Sequence, residues 1–211
     1  QIKVAVEWLC VEDRWQRLMH ESWKEEMLSG AMLAPFDVRD DAGGVGTQAH
    51  NAAESYILDW IASGNKPVDI KAYAKEGDDP RAVASMRAVE AFFNKHYIQP
   101  IASELLVGDI RYSAGTLDLL AMMDDKLTLI DFKTSNGVDA ISYSAQVAAY
   151  KYFFESMTGL KIKQVKILHL SKDYDKFTVY DVKHLPQAWK AFKQICGVYD
   201  WMSDNRKEKI I

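Results

Sequence analysis

A chain of 211 residues, 48% hydrophobic and 27% charged, has the length and composition of one globular domain with an ordinary core. Its net charge of −4 excludes a broadly basic surface of the kind that coats nucleic acid, so any contact with phosphate has to be local. Cys10 and Cys196, its two cysteines, exclude a disulfide framework and a four-cysteine iron–sulfur cluster, and no apolar run reaches the ~18 residues of a membrane span.

Residues 11–29 carry apolar side chains at helical spacing, Trp15, Leu18, Trp23 and Met27 among them, and predict a first helix. Residues 47–63 predict a second, entered from the turn-prone Asp40-Asp41-Ala42-Gly43-Gly44 and stopped at Gly64. Asp79 as N-cap with Pro80 at the first position opens a third, running to about Tyr97. The periodicity then changes to strands over 104–111, 115–123 and 127–133. A helix over 141–157 follows, closed by Gly159. Strands over 161–170 and 177–182 flank Lys172-Asp173-Tyr174-Asp175. A last helix spans 186–202, and Arg206 to Lys209 form a charged, frayed tail. The expected architecture is a single α/β domain over 1–211. Residues 1–99 are mainly helical, and 100–211 build a core with a central mixed sheet flanked by helices.

The strongest local signal is Gly115-Thr116-Leu117-Asp118 followed by Leu129-Ile130-Asp131-Phe132-Lys133-Thr134-Ser135. If Asp124 and Asp125 form a two-residue hairpin loop, Met123 pairs with Lys126. The same register sets Asp118 opposite Asp131 and Thr116 opposite Lys133. The two carboxylates then lie about 4.5–5.5 Å apart at Cβ, a repulsive arrangement for like charges. Side chains alternate along a strand, so Asp131 and Lys133 share a face. A three-residue loop would put the aspartates on opposite faces. Amid Leu117, Leu119, Leu120, Leu129 and Ile130 these acids are expected to be partly buried, and a hard divalent cation would relieve the conflict. Such an ion activates water for in-line displacement at phosphorus, and Lys133 could offset the charge building there. A lone Asp-x-Lys is more often an exposed hairpin face; the paired Asp118 is what makes this one informative.

Further residues turn the pattern into a resemblance. Gly46-Thr47-Gln48-Ala49-His50 opens the second helix, Glu104 begins the strand before the hairpin, and Gln146-Val147-Ala148-Ala149-Tyr150 lies on the helix after it. In this order they resemble the RecB-like branch of the PD-(D/E)XK nucleases over about Gly46 to Tyr150. The segment Gly115 to Tyr150 looks most similar to stand-alone exonucleases of the mitochondrial genome maintenance and phage type. The resemblance implies a restriction-endonuclease-like core and a Mg²⁺- or Mn²⁺-dependent DNA exonuclease working at single-stranded or processed ends in recombination, repair or replication. It implies His50, Asp118, Asp131 and the Phe132 backbone carbonyl as metal ligands and Lys133 as catalytic lysine. Gln146 and Tyr150 would steady the site or the DNA strand, Thr134 and Ser135 would offer hydroxyls to phosphate, and Glu104 would be an acidic residue entering the core with a catalytic role.

An endonuclease or resolvase of the same superfamily, or a silent DNA-binding module of the same fold, are the alternatives. A cytoplasmic bacterial or phage-encoded protein is expected, and a mitochondrial one is compatible. DNA is the expected partner, a membrane is not, and recombination or replication proteins or further copies of the chain could associate with it. No ATP is expected, since no Gly-x-x-x-x-Gly-Lys-Ser/Thr motif occurs. Glu54 reads as a solvated or supporting charge. His20, His96, His169 and His184 share no ligand spacing and read as structural, and Trp15 and Trp23 read as core before base-stacking platforms.

Overall fold

The computed structural model describes residues 40–66, 68–74, 77–134, 140–172 and 175–205. The expected helix over 11–29, Cys10, Ser135 and the charged tail lie outside them. The elements are α1 (Asp40–Ala62), a short 3₁₀ turn (Ile70–Ala72), α2 (Pro80–Lys95), β1 (Ile98–Asp109), β2 (Ser113–Met123), β3 (Lys126–Lys133), α3 (Ala140–Thr158), β4 (Gln164–Leu170), β5 (Phe177–Asp181) and α4 (Leu185–Asn205).

The strands form one sheet in the order β1-β2-β3-β4-β5. β1, β2 and β3 make an antiparallel meander, β3 and β4 run parallel, and β5 returns antiparallel. The parallel step requires a crossover, which α3 supplies. This is the mixed sheet with flanking helices that the sequence predicts.

Each sheet face has its own core. Ala53, Tyr56, Ile57 and Trp60 of α1 pack with Met86, Val89, Phe92 and Phe93 of α2 against Leu119, Ala121, Ile130, Phe132 and Leu168. With Ala49 also buried, the α1 stripe has the spacing of one helix face, which leaves His50 and Glu54 on its border. Val147, Ala149, Phe153 and Phe154 of α3 pack on the other side against Leu105, Leu117, Leu120, Leu129 and Val165, with Trp189 and Phe192 of α4 outside them. Each fully buried Leu or Phe is worth about 1.5–3 kcal/mol, so the two cores together can carry a costly polar site between them.

Two irregularities aim β1. Its register with β2 shifts between Pro100 and Ala102. Had the Ile98–Met123 register continued, Ser103 would stand opposite Asp118. The extra residue brings Glu104 there instead, between the Ser103–Leu119 and Leu105–Leu117 pairs. Glu104 itself has φ of +48°, a left-handed conformation that a glutamate adopts only at a cost.

Several boundaries differ from expectation. Helix α1 begins at Asp40 rather than near Thr47, taking in the two glycines read as a turn. Strand β1 begins at Ile98, six residues before its expected start at Glu104 and across Pro100, which an edge strand tolerates. Helix α2 is capped as expected, with the Asp79 carboxylate accepting from Arg81 N–H at 2.8 Å, but ends at Lys95.

Candidate metal and acid–lysine site

The β2–β3 hairpin has the expected even register. Met123 pairs with Lys126, and pairing continues to Leu119–Ile130. Asp124 and Asp125 have φ of +50° and +59°, the double left-handed geometry of a two-residue hairpin turn that matches strand twist. The next pair in this register is Asp118–Asp131, and there the ladder stops. Alternation lapses at the same place: Leu119 packs on the α1 side, whereas Leu117 and Leu120 both pack on the α3 side. Groups from both faces can therefore reach the two acids.

Asp118 is 7% exposed and Asp131 1%. The Phe132 N–H donates to Asp118 Oδ2 at 2.5 Å, replacing a ladder bond. Burial drives the Asp118 carboxyl well above the usual carboxylate range, and Asp131 pushes it further; Lys133 and the Phe132 N–H oppose the rise. Lys133 Nζ lies 2.7 Å from Asp131 Oδ2. This buried ion pair holds the ammonium at Asp131 and helps to keep it charged.

From the α3 side, Gln146 Oε1 accepts from Lys133 Nζ at 3.0 Å, and Gln146 Nε2 donates to Tyr150 Oη at 3.0 Å. Burial pulls the Lys133 pKa down, but Asp131 and Asp118 outweigh it and the net shift is upward, so the ammonium is fixed as a cation. Burial, then Asp131, raises the Tyr150 phenol, which stays neutral. Gly115 makes room for that phenol: a Cβ there would sit 2.5 Å from Tyr150 Cε1 and 2.8 Å from Oη. The Lys133 Nζ also stands 4.9 Å from the ring centroid of Tyr143, one turn before Gln146. Sequence reasoning passed over Tyr143. Extending the Gln146–Tyr150 stripe back by three residues would have found it.

From the α1 side, His50 Nδ1 approaches Asp118 Oδ1 to 3.7 Å. Burial lowers its pKa, Lys133 lowers it further, and Asp131 and a backbone hydrogen bond with Phe132 work the other way. The imidazole is therefore biased to the neutral, ligating form. His50, Glu104 and Asp118 each offer an atom within 4.8 Å of the others. Asp131 adds a buried carboxylate whose charge acts on all three, and the donor set of imidazole and carboxylates fits a hard or borderline divalent cation. A metal ion can thus be held here.

Beyond these groups an open cleft of about 370 Å³ is lined by Gly46, Thr47, His50, Asn51, Glu54 and Glu104. Burial, then Glu54 and Asp131, pushes the Glu104 carboxyl up to about 7. Glu54 lines the same cleft and sets a like charge against Glu104. The expected ligand set named Asp131 and left Glu104 aside as a ligand; the geometry places Glu104 with His50 and Asp118 and engages Asp131 with Lys133. Thr134 is 8% exposed, and its hydroxyl fills the space a side chain at Gly46 would need, so it packs on α1 more than it faces a ligand.

No protein-family model matches the chain, and no characterised protein matches its sequence. Among solved structures, one described as "Crystal structure of SSO0001" aligns over 82% of this chain and 83% of that one, at 10% identity and a TM-score of 0.32, a likeness too loose to bear on function.

Proposed function

We propose that the protein is a Mg²⁺- or Mn²⁺-dependent nuclease of the PD-(D/E)XK type that hydrolyses phosphodiester bonds in DNA, acting from ends as an exonuclease. One observation carries the reading. Two buried aspartates meet where a ladder ends, a lysine stands at one of them, and His50 and Glu104 converge on the other. Burying such a cluster costs several kcal/mol per unpaired charge, which a cation would offset and an inert domain would have no reason to bear.

His50, Glu104 and Asp118 would hold the ion, with Asp131 and the Phe132 carbonyl completing the shell. Bound there, it supplies Lewis-acid stabilisation of the phosphate and activation of water for in-line attack. The chain's own groups do the rest. Lys133, kept cationic and held by Gln146, presents N–H donors to the non-bridging phosphate oxygen and to the incoming water, where negative charge grows. Tyr150 holds Gln146 and is itself seated by Gly115. The acidic lining of the cleft by Glu54 and Glu104 repels the phosphate backbone, so the strand approaches from the Lys133 side.

The test is cleavage of end-labelled linear DNA with Mg²⁺ or Mn²⁺. Wild type is expected to cut it and to leave closed circular DNA intact. Cutting of the circle would replace exonuclease by endonuclease. No cutting of either substrate, or undiminished cutting by Lys133→Ala, would remove the nuclease reading. Binding of DNA without metal and without cleavage would leave a binding module.

A further inference from the structure

The geometry points to Tyr143 as a positioning residue that keeps the Lys133 ammonium over the site once a divalent ion occupies the carboxylates. The inference rests on the nuclease reading above and adds to it a residue which that reading does not use. Lys133 Nζ sits 2.7 Å from Asp131 Oδ2, 3.0 Å from Gln146 Oε1 and 4.9 Å from the centroid of the Tyr143 ring. The first of these neighbours is compromised by function. A cation drawn to Asp131 takes electron density from the same carboxylate and repels the ammonium across a few ångströms of low-dielectric interior.

What remains must be neutral and must not ligate metal. Gln146 supplies one hydrogen bond. The Tyr143 ring supplies attraction through its face, worth about three- to thirtyfold in an equilibrium at a partly desolvated site. It does so without taking a directed N–H donor. The ammonium therefore keeps donors free for water and phosphate, which a second hydrogen-bonding partner would have consumed. Tyr143, Gln146 and Tyr150 lie at i, i+3 and i+7 on α3 and so form one stripe facing the lysine. Tyr143 is half-buried.

Steady-state cleavage by Tyr143→Leu is expected to show kcat lower by about three- to thirtyfold, with KM for DNA and Mn²⁺ affinity unchanged. Tyr143→Phe, which keeps the ring face, should return to within about threefold of wild type. Wild-type rates in Tyr143→Leu, or a Phe variant as impaired as the Leu one, would overturn the assignment. A loss seen only in KM would instead make Tyr143 a DNA contact, which also overturns it. A second readout does not depend on turnover. With saturating Mg²⁺, the ε-methylene resonance of Lys133, identified by its loss in Lys133→Arg, should be shifted upfield by the ring in wild type and Tyr143→Phe but not in Tyr143→Leu. An unshifted resonance in magnesium-saturated wild type would sink the positioning role even if DNA is cut. A shifted one in a protein that cuts nothing would keep the contact and sink only the nuclease reading.

Discussion

The two halves of the site are built on opposite terms. On the α3 side the polar groups at the lysine form a chain: Lys133 reaches Gln146, Gln146 reaches Tyr150, and Gly115 leaves the phenol its place. On the α1 side the groups repel or fall short. Asp118 and Glu104 are both pushed toward protonation, and His50 stops 3.7 Å from Asp118. The lesson is that incompleteness is itself positional information. A finished network marks what the protein supplies, and an unfinished one beside it marks what must arrive from outside.

Asp118→Asn should break this contrast most. It removes a ligand together with a buried like charge, so cleavage falls by at least about a hundredfold, while the metal-free protein melts higher at neutral pH; calorimetry with Mn²⁺ and a thermal melt read the two effects. His50→Ala should weaken Mn²⁺ binding by about ten- to a hundredfold, and Mg²⁺ binding less, because imidazole favours the later transition metals. On the finished side, Gly115→Ala drives a methyl into the Tyr150 ring. Activity is expected to fall about tenfold with metal affinity kept, since the disturbance reaches Lys133 only through Gln146. Parallel loss of metal binding would show the halves are not separable.

The smallest effect concerns stability against pH without metal. Glu104 titrates at about 7 in the fold against 4.5 for the free side chain, and Asp118 is shifted the same way. Both favour the folded state while protonated. For Glu104 that stability is full below about pH 4.5 and is lost as pH rises through 7. For the half-exposed Glu104 the loss is about 1–2 kcal/mol after solvent screening. Glu104→Gln should flatten the decline in melting temperature over this range, and excess Mg²⁺ should flatten it in wild type.

The hairpin register that brings Asp118 level with Asp131 was legible because it depends on a two-residue turn, which is local. The Asp79 cap and the α3 span were legible for the same reason. The start of β1 was not, because Pro100 argues against a strand unless one knows that the strand is at an edge. The helical state of Gly43-Gly44 depends on tertiary packing: Gly46 must approach Thr134, and Val45 is buried with Ala49 and Ala82. Glu104 was recognisable as an acid near the core, but its place beside His50 and Asp118 comes from a register shift and a left-handed residue, neither of which has a composition signal. Tyr143 was overlooked because the helix stripe was read as beginning at Gln146.

The kinks in β1 also bear on a hazard unrelated to catalysis. A twelve-residue strand at the margin of a sheet would ordinarily offer neighbouring molecules a straight row of free amides and carbonyls to pair with. Pro100 omits one amide, the register shift before Ala102 offsets the row, and Glu104 twists it again. Among the described residues the outer row of β1 is not an uninterrupted template. Among the described residues, the distortions that deliver an acid to the interior thus also interrupt the outer row of backbone groups along which another strand would add.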